Sequence, residues 1–126
     1  SSDLLAPADA LAAAVADEVR AVRHRHHNTG LVAPAARFDE LAAGLAAIGL
    51  NAVDRVHGLG HDDVPLFHPE AVKGLEFDGV VVVNPHEVFT GEEDARGARL
   101  LYVAMTRAVQ TLHFVSTAPL PSELEA

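Results

Sequence analysis

Arg107 follows a run of mostly apolar residues, Leu100 to Met105, and an arginine in that place could deliver a guanidinium to a phosphate. Nucleotide hydrolysis between two protein lobes needs positive charge where the γ-phosphate departs. An arginine reaching in from the opposite lobe accelerates such reactions by roughly a thousandfold or more. A helix through Leu100 to Met105 would hold the Arg107 backbone rigid while the side chain extends. The same residue also fits a plainer role, a cation at a helix C-terminus favoured by the dipole.

A second group of residues with chemistry is Lys73-Gly74-Leu75-Glu76-Phe77. Gly74 permits a positive φ or a close backbone approach, and Leu75 and Phe77 can anchor the loop in a core. Glu76 is then left as an acceptor for a sugar hydroxyl. Lys73 is the only lysine in the chain. Taken alone, Glu76 reads first as an exposed loop carboxylate and Lys73 as a solvated lysine.

Together the segments Val72 to Val83 (VKGLEFDGVVVV) and Leu100 to Ala108 (LLYVAMTRA) resemble motifs V and VI of superfamily 1 helicases of the UvrD/Rep type. In that family motif V reads approximately KGLEF followed by apolar residues, and motif VI reads RLLYVAxTRA. Lys73 to Phe77 match the first, and Arg99 to Ala108 match the second. The resemblance implies that Glu76 contacts the ribose of ATP and that Arg107 senses the γ-phosphate. It also implies that Lys73 and Gly74 shape the loop between nucleotide and nucleic acid, with Tyr102 and Thr106 as packing and network members.

The resemblance extends over about Gly30 to Val115 and implies a RecA-like 2A domain, the second lobe of a two-lobed motor. The cofactor implied is ATP with Mg2+, the metal being held by an N-terminal lobe that carries the Walker motifs. That lobe and DNA, as a single strand or a duplex junction, are the implied partners. This chain alone is expected not to hydrolyse ATP. Gly44 and Gly49 are spaced like P-loop glycines, but Leu50 and Asn51 stand where its Lys and Ser/Thr belong.

Three departures from the family pattern matter. His68, Pro69 and Glu70 occupy the places of a Thr-x-His that usually precedes motif V. Ala33-Pro34 stands where a motif IV arginine is expected, with Arg37 a little further on. Arg96 and Gly97 replace glutamates that often precede motif VI. The pattern looks closer to the helicase IV/HelD-like branch, some members of which act on RNA polymerase. An ATP-dependent DNA helicase, a polymerase-remodelling factor and a RecA-like interaction domain without motor activity therefore all stay in view.

The elements that must position these residues can be read from periodicity. Leu11, Val15, Val19 and Val22 place a helix over about Pro7 to Arg25, stopped by Asn28-Thr29-Gly30. Phe38, Leu41, Leu45 and Ile48 mark a second helix that Gly49 ends. Strands are expected at Leu31 to Ala33, Asn51 to Val56, Val64 to Phe67, Val80 to Val83 and Thr111 to Ser116, and a short helix from Pro69 into Lys73. Thr90 and Glu93 form a capping-box pattern for a helix running to about Ala108. This alternation predicts an α/β, three-layer, RecA-like domain with a mostly parallel sheet. The division expected is an N-terminal helix over 1–29, the 2A domain over 30–117 and an acidic, proline-containing tail over 118–126.

Composition restricts the remaining possibilities. A chain of 126 residues suits one domain with a modest core. Without cysteine there are neither disulfides nor thiolate metal sites, and no apolar run has the length of a membrane span. Asp3 and Asp9 stand where an export signal would carry positive charge, so a cytoplasmic location is expected. The net charge of −9 repels a phosphate backbone at long range. One basic cluster, Arg20, Arg23 and Arg25 with His24, His26 and His27, closes the first helix, where the dipole favours it. The spacing of its histidines does not suit a metal site.

Overall fold

The computed structural model describes residues 2–71, 77–88, 100, 102, 105 and 109–121. Six strands form one sheet: β1 (Ser2–Leu5), β2 (Thr29–Val32), β3 (Asn51–Val53), β4 (Asp63–Phe67), β5 (Gly79–Val83) and β6 (Thr111–Ser116). Their spatial order is β1-β6-β5-β2-β4-β3, and each pairing is parallel. Parallel neighbours cannot be joined by tight turns: helices lie between β1 and β2 and between β2 and β3, and β3 is joined to β4 by the loop 54–62. The α/β reading with a mostly parallel sheet is what the chain adopts.

The valine run shows how the sheet acquires two cores. Successive side chains of a strand point to opposite faces, and all five residues of β5 are buried. Val81 and Val83 join Leu31 and Val115 beneath helices α1 (Leu11–Arg25) and α2 (Phe38–Ala46). Val80 and Val82 join Val32, Leu112 and Phe114 on the other face, where Phe77, Tyr102 and Met105 cover them. Leu100, Tyr102 and Met105 have helical backbone; Tyr102 and Met105 are buried while Leu100 is exposed.

Helix α1 buries Leu11, Val15, Val19 and Val22 along one stripe, and its closest neighbour helix is α2. Gly44 of α2 makes this approach possible, because a Cβ there would lie 2.8 Å from the Ala12 carbonyl oxygen. The P-loop-like glycine pair is thus a packing contact and a helix stop, Gly49 ending the turn after α2 at φ +83°.

Several boundaries differ from the periodicity. The opening residues form β1, an edge strand on β6; its Leu4 and Leu5 are both exposed, so no buried alternation advertises it. Helix α1 begins at Leu11 after a 3-10 turn at Ala8–Ala10, since Pro7 is extended. Strand β3 stops at Val53, where its pairing with β4 ends at Pro65. Of the short helix expected from Pro69 into Lys73, the described part is a 3-10 turn, Pro69–Ala71, and the rest lies outside the described residues. The Thr90–Glu93 capping box lies outside the described residues. Among the described residues no helix is long and apolar enough to cross a membrane.

Candidate functional site

Both motif-bearing segments enter the sheet at its amino-terminal edge. Strands β5 and β6 are parallel neighbours with Gly79 opposite Thr111, so whatever precedes one strand adjoins whatever precedes the other. The contact is direct. The Asp78 carbonyl oxygen accepts hydrogen bonds from the N–H groups of Gln110 at 2.8 Å and Thr111 at 3.1 Å. On the other side the Asn28 carbonyl oxygen accepts from Asp78 N–H at 3.0 Å and Gly79 N–H at 3.2 Å. His26 Nε2 lies 2.8 Å from Thr111 Oγ1. The starts of β2, β5 and β6 are therefore tied together by main-chain bonds, which leave little freedom in register.

Phe77 anchors the first segment. Its ring is buried over Gly30 of β2, where a Cβ would stand 2.8 Å from two ring carbons, and lies 6.4 Å from the ring of Phe67. Tyr102 and Met105 anchor the second. The Tyr102 ring lies 6.2 Å from that of Phe114, and burial pushes the phenol well above its ordinary range. Val109 N–H donates to the Met105 carbonyl oxygen at 3.1 Å.

Lys73, Gly74, Glu76 and Arg107, the residues on which the sequence argument concentrates, lie outside the described residues, as does Thr106. What the structure supplies is their frame. Phe77 follows Glu76 directly, Val109 comes two positions after Arg107, and the residues next to each of these meet at the Asp78 carbonyl.

A different place satisfies the general rule for ligand sites in open α/β sheets, which favours the carboxyl ends of strands where the winding direction reverses. Here that point lies between β2 and β5, since the chain proceeds from β2 outward to β3 but from β5 outward to β6. Arg37, Asn84 and Glu87 occupy it. The Arg37 guanidinium forks onto Glu87, Nε to Oε1 at 2.9 Å and an Nη to Oε2 at 2.8 Å, and gives a third bond to Glu40 at 2.8 Å. These partners raise the Arg37 pKa further, and Arg37 holds the Glu87 carboxyl below its usual range. Asn84, buried at φ 47°, donates to Glu87 at 3.1 Å and accepts from Thr117 N–H at 2.9 Å. Arg37, the nearest arginine to the motif IV place, is thus committed to carboxylates.

His68 also has a local role, its Nδ1 accepting from the Glu70 N–H at 3.2 Å and holding the turn that follows β4. Among the described residues no group of three or more His, Asp or Glu is placed to hold a metal ion. Sequence reasoning missed the Asn28, Asp78 and Gln110 contacts. Their only signal is a polar residue just ahead of an apolar strand, and which strands pair cannot be read from it.

Residues 70–115 match the family model described as the UvrD-like helicase C-terminal domain. That stretch includes both motifs and the Asp78 to Thr111 contact. Over the whole fold the chain is similar to the C-terminal domain of a possible DNA helicase from Lactobacillus plantarum WCFS1. The TM-score is 0.73 at 24% identity, covering 98% of this chain and 77% of that one. No curated protein matches the chain. The likeness in structure is one of fold, and the family-model match carries the likeness to helicases.

Proposed function

We propose that this chain is the second motor lobe of an ATP-dependent DNA helicase or translocase. In this reading it contributes Glu76 and Arg107 to a nucleotide gripped mainly by a separate N-terminal lobe. Bound ATP with Mg2+ supplies the phosphoanhydride whose cleavage powers the cycle. On this chain Glu76 accepts a hydrogen bond from the ribose, Arg107 places its guanidinium at the γ-phosphate, and Lys73 and Gly74 shape the loop between nucleotide and nucleic acid. Lobe closure around the nucleotide is then a ligand-driven shift between open and closed populations.

The observation that carries the reading is the Asp78 to Gln110 hydrogen bond of 2.8 Å, which brings the ends of the two motif segments to one edge. The match of residues 70–115 to the UvrD-like helicase C-terminal domain supports it independently. The test uses the complete two-lobed protein. Arg107→Ala is expected to cut ATP turnover by two orders of magnitude or more, on the order of an arginine finger's contribution. Unchanged turnover would remove the assignment.

A polymerase-remodelling factor of the HelD type is the second reading. The net charge of −9 and the His68-Pro69-Glu70 turn in place of Thr-x-His favour it. Recovery of RNA polymerase subunits with the complete protein, without stimulation of its ATPase by DNA, would select this version. Strand separation without polymerase binding would select the first.

A further inference from the structure

A cleft of about 350 Å³ opens at the β3 margin of the sheet, between the first half of α2 and the carboxyl ends of β3 and β4. Its lining is largely apolar: Phe38 and Ala42 from α2, Ala52 and Val53 from β3, and Leu66 from β4. Leu66 is buried and the other four are half-buried, so part of this apolar surface meets solvent. Strand β3 is the last in that direction, and among the described residues no strand pairs with its outer edge. Asn51 N–H bonds the Asp62 carbonyl oxygen at 2.8 Å, toward the β4 side. Main-chain groups alternate in direction along a strand, so those of Ala52 point outward. An open edge of this kind is a template for another strand.

Charge selects the occupant. Asp39, in the first turn of α2, and Asp54, just past β3, both line the cleft and are exposed. Neither has an ion-pair partner among the described residues. The guanidiniums nearby are engaged elsewhere. Arg55, the one cation in the lining, bonds Asp63 at 3.1 Å, and Arg37 bonds Glu40 and Glu87. The chain as a whole carries a net charge of −9. A second copy would bring the same carboxylates and the same net charge to this edge, whereas a basic segment complements both.

We infer that the β3 edge binds an extended, basic segment of a partner protein by strand addition. Main-chain bonds to Ala52 supply the pairing, and an apolar side chain of the segment enters the cleft over Ala42 and Leu66. A lysine or arginine two positions along, on the same face of the added strand, reaches Asp39 or Asp54. In strand addition the main chain gives affinity and such pockets for alternate side chains give specificity. The inference makes no use of Glu76 or Arg107 and stands without the motor reading.

The test follows backbone amides of the 126-residue chain by NMR during titration with acetyl-Lys-Thr-Val-Thr-Lys-amide, whose lysines and valine share one face of a strand. The amides of Ala42, Ala52 and Asp54 are expected to shift saturably while those of Leu4 and Leu5, on the opposite edge of the sheet, stay in place. Acetyl-Glu-Thr-Val-Thr-Glu-amide is expected not to saturate. Methylating the peptide nitrogens of the lysine form is expected to weaken binding by on the order of tenfold. Asp39→Asn and Asp54→Asn, both at the surface, are each expected to weaken it by about two- to fivefold. Glu76→Gln and Arg107→Ala leave it unchanged, so failure here is distinct from failure of the motor assignment. Absence of a saturable shift, equal binding of the glutamate peptide, or undiminished binding of the methylated peptide overturns the inference. So does a concentration-dependent shift of Ala52 without peptide, which would give the edge to a second copy.

Discussion

Asp78 and Gln110, thirty-two positions apart, meet at the starts of two neighbouring parallel strands, and the Asp78 carbonyl oxygen accepts hydrogen bonds from both Gln110 and Thr111. One oxygen thereby fixes where two segments of unrelated sequence enter the sheet. Each segment is also nailed to the same face by aromatic side chains, Phe77 over Gly30 and Tyr102 beside Phe114. In the proposed reading this is the frame from which Glu76 and Arg107 would act.

Gly30 and Phe77 should behave as one unit. A methyl group at position 30 would sit 2.8 Å from the Phe77 ring, so Gly30→Ala is expected to destabilise the fold by about 1–3 kcal/mol, the usual range for overpacking. Thermal or urea denaturation checks the loss. Combining it with Phe77→Leu should give less destabilisation than the sum of the two changes, because the smaller side chain makes room. Strict additivity would show that the ring is not what limits position 30.

The Arg37 to Glu87 fork carries a pH dependence whose sign follows from the Glu87 shift. Arg37 depresses the Glu87 pKa in the folded chain, so its stabilisation is present above the ordinary glutamate range and fades as pH falls through the depressed folded value. Arginine stays charged throughout. Glu87→Gln is expected to cost roughly 0.5–1.5 kcal/mol at neutral pH, a modest figure because the pair is partly exposed to solvent. The gap between variant and parent should narrow as the medium becomes acidic. A gap that widens toward low pH would contradict the ion-pair account.

Asn84 combines two tasks that substitutions can separate. Its φ of 47° is left-handed, and its amide side chain joins Glu87 to Thr117. Asn84→Gly keeps the backbone conformation accessible and loses only the side-chain bonds, for which about 1–2 kcal/mol is expected. Asn84→Ala adds a backbone penalty of roughly 1 kcal/mol. Chemical denaturation of both proteins measures the difference. Equal stabilities would mean that backbone strain plays no part at this position.

The buried strands and helix stripes were legible in the sequence because their signal is local. Val80 to Val83 is apolar on both faces, and the Leu11 to Val22 stripe repeats at helical spacing. Strand β1 was not legible, because an edge strand with exposed Leu4 and Leu5 carries no alternation to detect. Neither was the Arg37, Asn84 and Glu87 network, which depends on strand order. A lone Arg37 after a proline turn gives no hint that Glu87, fifty positions later, lies opposite it. The motif residues stand out in sequence through resemblance, whereas the contact that would unite them is made by main-chain atoms of their neighbours, which no side-chain pattern encodes.

The central claim, that Glu76 and Arg107 share one edge and act on one nucleotide, is tested most directly by a distance. The chain has no cysteine, so Glu76→Cys with Arg107→Cys introduces two thiols that can carry spin labels without background. Adjacent strands lie about 4.8 Å apart, and segments entering neighbouring strands at one edge should give labels within about 20 Å of each other. A distribution centred near 30 Å or beyond, roughly the diameter of a small domain, would place the two on opposite surfaces and contradict the account.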